Sequence, residues 1–262
     1  MDPAIRKRRV AVTRERGRHR LRVVVAGLCV AAMVVAGYLV LHSALFSARH
    51  VTVSGASHTP LSAIVTTAGL VEHPPLLDVD PGQASARLEK LPWVNTASVE
   101  RRWPDSVVVK VTERVAVAAV VRPSGGVAIL DASGRVLADE TAVPVGVIPL
   151  VLSVDPPPPG SALGPAAGGA LAIVRDLPAP VRTRVQSVTE GSGGEMTLDL
   201  GGGLRADLGP ASQLGAKFEA LESMLAGATV SGREVIDLSV PEEPTVSPGA
   251  AGGAGVVSTG PA

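Results

Sequence analysis

The sequence predicts an α+β protein that begins with a single N-terminal transmembrane helix. Three observations predict it. Residues 1–22 hold nine Lys and Arg against two acids, a net +7 that is balanced by −7 from Arg49 onward. No Asp, Glu, Lys or Arg occurs between Val23 and Ala48. Beyond Arg49, stretches that alternate with period two are interleaved with stretches apolar at helical spacing, the mark of mixed strands and packing helices.

Val23 to Leu41 is a 19-residue run of mostly Val, Ala, Leu and Gly. As a helix it spans roughly 28 Å, close to the hydrocarbon thickness of a bilayer. Tyr38 sits near the outer end, where an amphipathic ring suits the interface. The basic residues abut the inner end, so the positive-inside rule places the N-terminus in the cytoplasm and the rest outside. A cleaved signal peptide is the rival reading. Its apolar core is shorter, about 7–15 residues, and ends in a small-x-small site. Here the best candidate, Phe46-Ser47-Ala48, carries a phenylalanine where a small residue belongs. Leu28 before the sole cysteine, Cys29, also fails as a lipid-attachment signal. Topology accounts for the basic arm, so nucleic-acid binding is not expected of it.

One cysteine, inside the span, excludes disulfides in the outer region, which must be held by burial. His50-Val51-Thr52-Val53-Ser54-Gly55 alternates and ends in a turn signal, as a strand does. Thr59-Pro60 is a helix start, followed by Leu61, Ile64, Val65 and Ala68 at helical spacing and a stop at Gly69. Asp80-Pro81 repeats the start signal; Ala84, Leu88 and Leu91 form the apolar stripe, and Pro92 ends it. Val94 to Arg101 and Val107 to Glu113 are strands joined by the turn Trp103-Pro104-Asp105-Ser106. The order is β-α-α-β-β.

This order, with Val51-x-Val53-x-Gly55, Leu91-Pro92-Trp93-Val94, Val99-x-Arg101-x-Trp103-Pro104 and Val111-x-Glu113-Arg114, resembles a POTRA module of the FtsQ/DivIB family of bacterial division proteins. Ala116-Val117-Ala118 departs from it, since the family more often shows a proline soon after the Glu-Arg pair. Trp93 and Trp103, the only tryptophans, read first as packing or turn residues that each bury ~200 Å²; direct partner contact is their second reading. Arg101 and Arg102 read as a solvated strand.

Val115 to Val121 is a further strand, and Val127 to Asp131 with Arg135 to Leu137 a hairpin around Ser133-Gly134. Ile148-Pro149-Leu150-Val151 is a strand of the hydrophobic-Pro-hydrophobic kind that the resembled family shows. Pro156 to Pro159 form a stiff loop. A short helix over Gly169 to Leu177 turns Leu171, Val174 and Leu177 inward. Val185 to Thr189, Met196 to Leu200 and Leu204 to Leu208 are strands, with Gly201-Gly202-Gly203 a hairpin turn, because no Gly-Lys-Ser/Thr follows to make a phosphate loop. Leu214, Phe218, Leu221 and Leu225 mark an amphipathic helix closed by Gly227. Glu234 to Val240 alternates, with Ile236, Leu238 and Val240 on one face and Asp237 and Ser239 on the other. From Pro241 the Pro/Gly/Ala/Ser composition predicts a disordered tail.

Chemistry is sparse. All five histidines precede residue 74. His50, His58 and His73 with Asp78 or Asp80 lack the spacing of a zinc site. Cysteine nucleophiles are excluded outside the membrane, and a Ser-His-Asp triad would need a base from the first module. A Ser–Lys dyad would draw on Lys90, Lys110 or Lys217, all of which read as solvated. No cofactor, metal, small-molecule substrate or catalytic residue is expected.

The expected means of action is backbone pairing. If Val235, Ile236, Asp237, Leu238, Ser239 and Val240 form a sheet edge, their free N–H and C=O groups invite a partner's strand; the alternative is a central strand already paired. The resemblance implies that this C-terminal part receives a segment of FtsB, acting with FtsL, and that the chain is a non-catalytic divisome scaffold regulating septal peptidoglycan synthesis. The expected layout is a cytoplasmic arm at 1–22, the span at 23–45, the POTRA module at 48–116, the β domain at 117–240 and the tail at 241–262. A secretion or outer-membrane POTRA protein and a membrane-anchored cell-wall enzyme are the competing readings.

Overall fold

A computed structural model describes residues 3–227 and 233–249. Its first helix, α1 (Pro3–Leu41), includes one window fit to cross a membrane, Leu21–Leu41, with a mean hydropathy of 2.6. None of that window is buried against the protein. The α-helix stops at Leu41, short of the expected limit at 45, and a 3-10 turn covers Ala44–Phe46. Ser43 ends the α-helix locally: its hydroxyl donates to Val40 O at 2.6 Å and accepts from Leu45 N.

The chain divides into two compact units, Met1–Leu88 with Thr96–Thr112, and Glu89–Asn95 with Glu113–Ala262. The first contains β1 (His50–Ser54), α2 (Leu61–Ala68), α3 (Pro81–Leu88), all but the first two residues of β2 (Val94–Arg102) and all but the last of β3 (Ser106–Glu113), in the predicted order. The three strands lie as β1-β3-β2, with β1 parallel to β3. Period-two burial on β3 puts Val107, Val109 and Val111 inside, with Ile64 and Ala68 of α2 and Ala84 and Leu88 of α3. Asp80 caps α3 by accepting from Gly82 N and Gln83 N. Gly55 has φ +83°, and a Cβ there would lie 1.9 Å from the Val111 carbonyl oxygen. Only glycine lets β1 end against β3, which accounts for the glycine of the Val-x-Val-x-Gly pattern.

The second unit is a nine-stranded mixed sheet ordered β12-β11-β10-β9-β8-β7-β4-β5-β6. Its strands are β4 (Ala116–Val121), β5 (Val127–Asp131), β6 (Val136–Glu140), β7 (Ile148–Val151), β8 (Ser187–Glu190), β9 (Met196–Gly201), β10 (Leu204–Gly209), β11 (Glu234–Asp237) and β12 (Thr245–Pro248). Helices α4 (Gly168–Asp176), α5 (Ala179–Arg182) and α6 (Leu214–Ala226) supply Ile173, Val174, Val181, Phe218 and Leu221 to one core. That core takes Ala118, Val120, Leu130, Leu198, Leu208, Ile236 and Leu238 from the sheet. A smaller core of Ala119, Val127, Ile129 and Leu137 packs with Trp93, Val143 and Val147. β5 is consequently buried along its whole length. Trp93 lies within Glu89–Asn95, so this segment, read from sequence as POTRA, packs with the second unit.

Lys217, expected to be solvated, is fully buried. Its ammonium donates to Leu208 O at 2.6 Å and Pro210 O at 2.9 Å. The helical wheel misled because the aliphatic stem follows the apolar face of α6 while the head reaches backbone carbonyls at the end of β10.

Candidate partner-binding edge

The last two strands form the end of the large sheet. β11 runs parallel to β10, pairing Arg205 with Val235, Ala206 with Ile236 and Asp207 with Asp237. On its other side β11 runs antiparallel to β12, pairing Glu234 with Pro248, Val235 with Ser247, Ile236 with Val246 and Asp237 with Thr245. The expected edge at Val235, Ile236, Asp237, Leu238, Ser239 and Val240 is therefore corrected: Val235, Ile236 and Asp237 lie in β11, which is paired on both sides, Leu238, Ser239 and Val240 follow it, and among the described residues the edge strand at this end is β12. Ile236 and Leu238 are fully buried, whereas Val240, expected on the same face, is 54 % exposed.

The strand stops where it does for a local reason. Leu238 N donates to Asp207 O at 2.8 Å, the last rung toward β10. Asp237 Oδ1 then accepts from both the amide and the hydroxyl of Ser239, at 2.9 and 2.6 Å. These bonds hold the Asp237 carboxyl below its ordinary range and bend the chain out of the ladder. Pro241, placed by composition in the disordered tail, is buried, and Thr245–Pro248 is a strand. Sequence reasoning missed it because two prolines flank a stretch of only three residues. The remainder of the expected tail, from residue 250, lies outside the described residues.

The pairing fixes which groups of β12 are available. Gly249 N donates to Arg233 O at 2.8 Å. Backbone groups alternate in direction along an antiparallel strand, so those of Thr245, Ser247 and Gly249 face β11. Those of Pro244, Val246 and Pro248 face away. Neither proline has an N–H, so the outward side of residues 244–248 presents one amide donor, Val246. All four residues of β12 are exposed. Prolines with their nitrogens turned outward blunt an edge against indiscriminate pairing while leaving a short site.

The remaining candidate residues fall in two places. Trp93 is half-buried in the small core of the second unit. Trp103 and Pro104, joined by a cis peptide bond, and Arg101 are exposed in the first unit. The guanidinium of Arg101 donates to the Leu76 and Leu77 carbonyls at 3.4 and 3.5 Å. The histidines do not converge. His50 Nδ1 lies 3.1 Å from Asp105 Oδ2, and His73 Nδ1 lies 2.8 Å from Ala48 O. Among the described residues no three His, Cys, Asp or Glu are grouped to hold a metal. One open groove of about 560 Å³ runs past α5 and α6, and its lining includes a single carboxylate, Glu222, and no histidine.

An N-terminal helix long and apolar enough to span a bilayer, a three-stranded β-α-α-β-β unit and a large mixed sheet whose last described strand is β12 define the class: an α+β protein with one candidate membrane span and two folded units. Residues 46–114 match the FtsQ-type POTRA domain, and residues 118–239 match the C-terminal domain of cell division protein FtsQ/DivIB. The chain is 32% identical over 240 residues to the cell division protein FtsQ of Streptomyces collinus, covering 88% of this chain and 90% of that protein. It is 30% identical over 229 residues to FtsQ of Mycolicibacterium smegmatis, covering 86% of this chain and 65% of that protein. With FtsQ of Caulobacter vibrioides it shares 31% identity over 146 residues, 56% of this chain and 45% of that protein. The chain belongs to the FtsQ/DivIB family, and its role is in bacterial cell division.

Proposed function

We propose that this protein is a non-catalytic scaffold of the septal divisome that captures a strand of FtsB at β12 and, with FtsL, links it to septal peptidoglycan synthesis. In this reading α1 anchors the chain in the plasma membrane as a single-pass type II protein, with the basic arm inside and both folded units outside. The charge asymmetry of the N-terminal segment supports that topology.

The observation that carries the reading is the open side of β12, with Val246 as its one outward amide donor between Pro244 and Pro248. A strand added there extends the nine-stranded sheet by main-chain hydrogen bonds, and the exposed side chains of β12 set preference among partners. The expected interface is short, which suits an assembly strengthened by a second partner.

The test places a photoreactive amino acid at Val246 of the full chain in dividing cells. A crosslink to FtsB, absent when the same residue is placed at exposed Glu195, is the expected result. Equal crosslinking at the two positions, or none to FtsB at Val246, overturns strand capture at this edge. A fluorescent fusion spread evenly around the envelope, with no enrichment at midcell, overturns the septal role.

A further inference from the structure

The first unit exposes several large apolar side chains near the end of α1. Leu45 is 70 % exposed, Trp103 50 % and Leu77 43 %, while Phe46 is half-buried. They come from three separate stretches of the sequence. The Phe46 ring packs edge-on against Trp103, with centroids 5.8 Å apart. Leu76 N donates to Phe46 O at 2.7 Å, which brings Leu77 beside the 3-10 turn. Asp78 Oδ1 lies 3.3 Å from His42 Nε2, and the His42 ring lies 4.0 Å from that of Tyr38, inside the apolar helix. A continuous line of contacts therefore runs from the outer end of the span to Trp103.

Topology explains why. β1 and β3 are parallel, with His50 opposite Ser106, so the start of β1 and the β2–β3 turn share one end of the sheet. Arg49 N and His50 N both donate to Asp105 O, at 2.9 and 3.1 Å, and fix that turn beside the chain emerging from α1. A 21-residue span reaches about 31 Å, which fills the hydrocarbon layer and leaves about 5–7 Å of headgroup zone on each side. Leu45 and Phe46 follow Leu41 by only four and five residues, so they fall in that zone, and Trp103 with them.

We infer that Leu45, Phe46, Leu77 and Trp103 form a lipid seat that holds the first unit against the outer surface of the bilayer. Tryptophan suits this position because its ring is apolar and its N–H needs a polar neighbour, a pair of demands the interface meets together. Charge contributes little. The Arg101 guanidinium reaches the Leu76 and Leu77 carbonyls, but the carboxylates of Asp78 and Asp105 lie on the neighbouring residues of the same stretches, and Arg102 pairs with Glu100. The seat is apolar in character and serves zwitterionic as well as anionic lipid. It limits how far the unit tilts on its anchor.

The inference rests on α1 being a membrane anchor, and the experiment separates the two. The full chain carrying Trp93→Phe keeps Trp103 as its only tryptophan. It is labelled with bimane at Cys29, its only cysteine, and reconstituted in phosphatidylcholine vesicles containing brominated lipid. Bromines at acyl carbons 6 and 7 are expected to lower Trp103 emission at least twofold, and more than bromines at 11 and 12. The Cys29 label is expected to show the opposite order. Quenched bimane with unquenched Trp103 overturns the seat and leaves the anchor standing; unquenched bimane removes both. Quenching of Trp103 only in vesicles with anionic lipid overturns the apolar seat in favour of charge attraction. Should Trp93→Phe not fold, the emission difference between the unsubstituted chain and Trp103→Phe gives the same readout.

Discussion

The carboxylate of Asp131 receives the guanidinium of Arg114 at 2.7 Å, joining the end of β5 to the short link between β3 and β4. Arg114 Nε also donates to Val94 O at 3.1 Å, and its amide donates to Trp93 O at 2.8 Å. Asp131 is 6 % exposed. Burial alone would raise its carboxyl, but the Ser133 hydroxyl, Arg114 and the amides of Arg135 and Ser133 outweigh it and hold the group below its ordinary value. The Arg of the Glu113-Arg114 motif is thus a clamp between Trp93 and the second unit's sheet.

Asp131→Ala removes one member of a buried pair and leaves Arg114 uncompensated, which costs about 3 kcal/mol. Because the folded-state value is depressed, the stabilisation is present above the unfolded value and lost as pH falls through the folded one. Urea unfolding of the outer region should therefore show a wild-type advantage over Asp131→Asn that is full at pH 7 and shrinks below about pH 4. An advantage unchanged down to pH 2 would contradict the assignment.

A second expectation concerns where the second unit begins. Trp93 completes the core that contains Ile129 and Leu137, so a fragment starting at residue 117 exposes that core and loses Arg114. A fragment of residues 89–95 joined by a short linker to 113–249 should unfold at a higher urea concentration than 117–249. Trp93→Ala in the full outer region should cost about 2 kcal/mol, below the roughly 3–5 of a fully buried aromatic because Trp93 is only half-buried. Equal midpoints for the two fragments would show that the segment adds no stability.

The elements of both units were legible because their signals are local: caps at Asp80, turns at Gly201-Gly202-Gly203, and period-two runs such as Val107 to Val111. What stayed hidden was set by distant pairing. No pattern within Glu234 to Val240 says which strand lies on either side, and β12 is too short and too rich in proline to announce itself. Lys217 was misread because a wheel assigns a long side chain by its Cα, while the two carbonyls that receive its head come from the end of β10 and the residue after it. Trp103 was visible as a motif, but Phe46, whose ring meets it, is brought there only by the fold.

Lys217 gives a third expectation. Burial lowers its ammonium from the usual lysine range, with no acidic partner among the bonds it makes. When a lysine's folded value lies below its unfolded one, the unfolded chain binds more protons between the two, and stability rises with pH across that interval. The thermal midpoint of the wild type should thus gain on Lys217→Met as pH is raised toward the unfolded lysine value, about 10.4. A gap that narrows or stays flat over pH 7 to 10 would count against an ammonium lowered by burial at Lys217.

The edge itself is tested by comparing neighbours on one strand. The amide of Val246 points away from β11 and that of Ser247 points toward it, so proline has opposite consequences at the two positions. Val246→Pro removes the one outward donor between Pro244 and Pro248 and leaves the β11–β12 ladder whole. It should reduce copurification with FtsB at least tenfold, about 1.4 kcal/mol, with the urea midpoint of the outer region unchanged. Ser247→Pro breaks a ladder bond to Val235 and should lower that midpoint. Lysine at both Ile236 and Leu238 is uninformative about partners, since both side chains lie in the core and the change should unfold the sheet. The discriminating pattern is therefore a Val246→Pro protein that is folded, inserted in the membrane and unable to retain FtsB. Full retention by that variant would mean that the partner is held elsewhere than on the open side of β12.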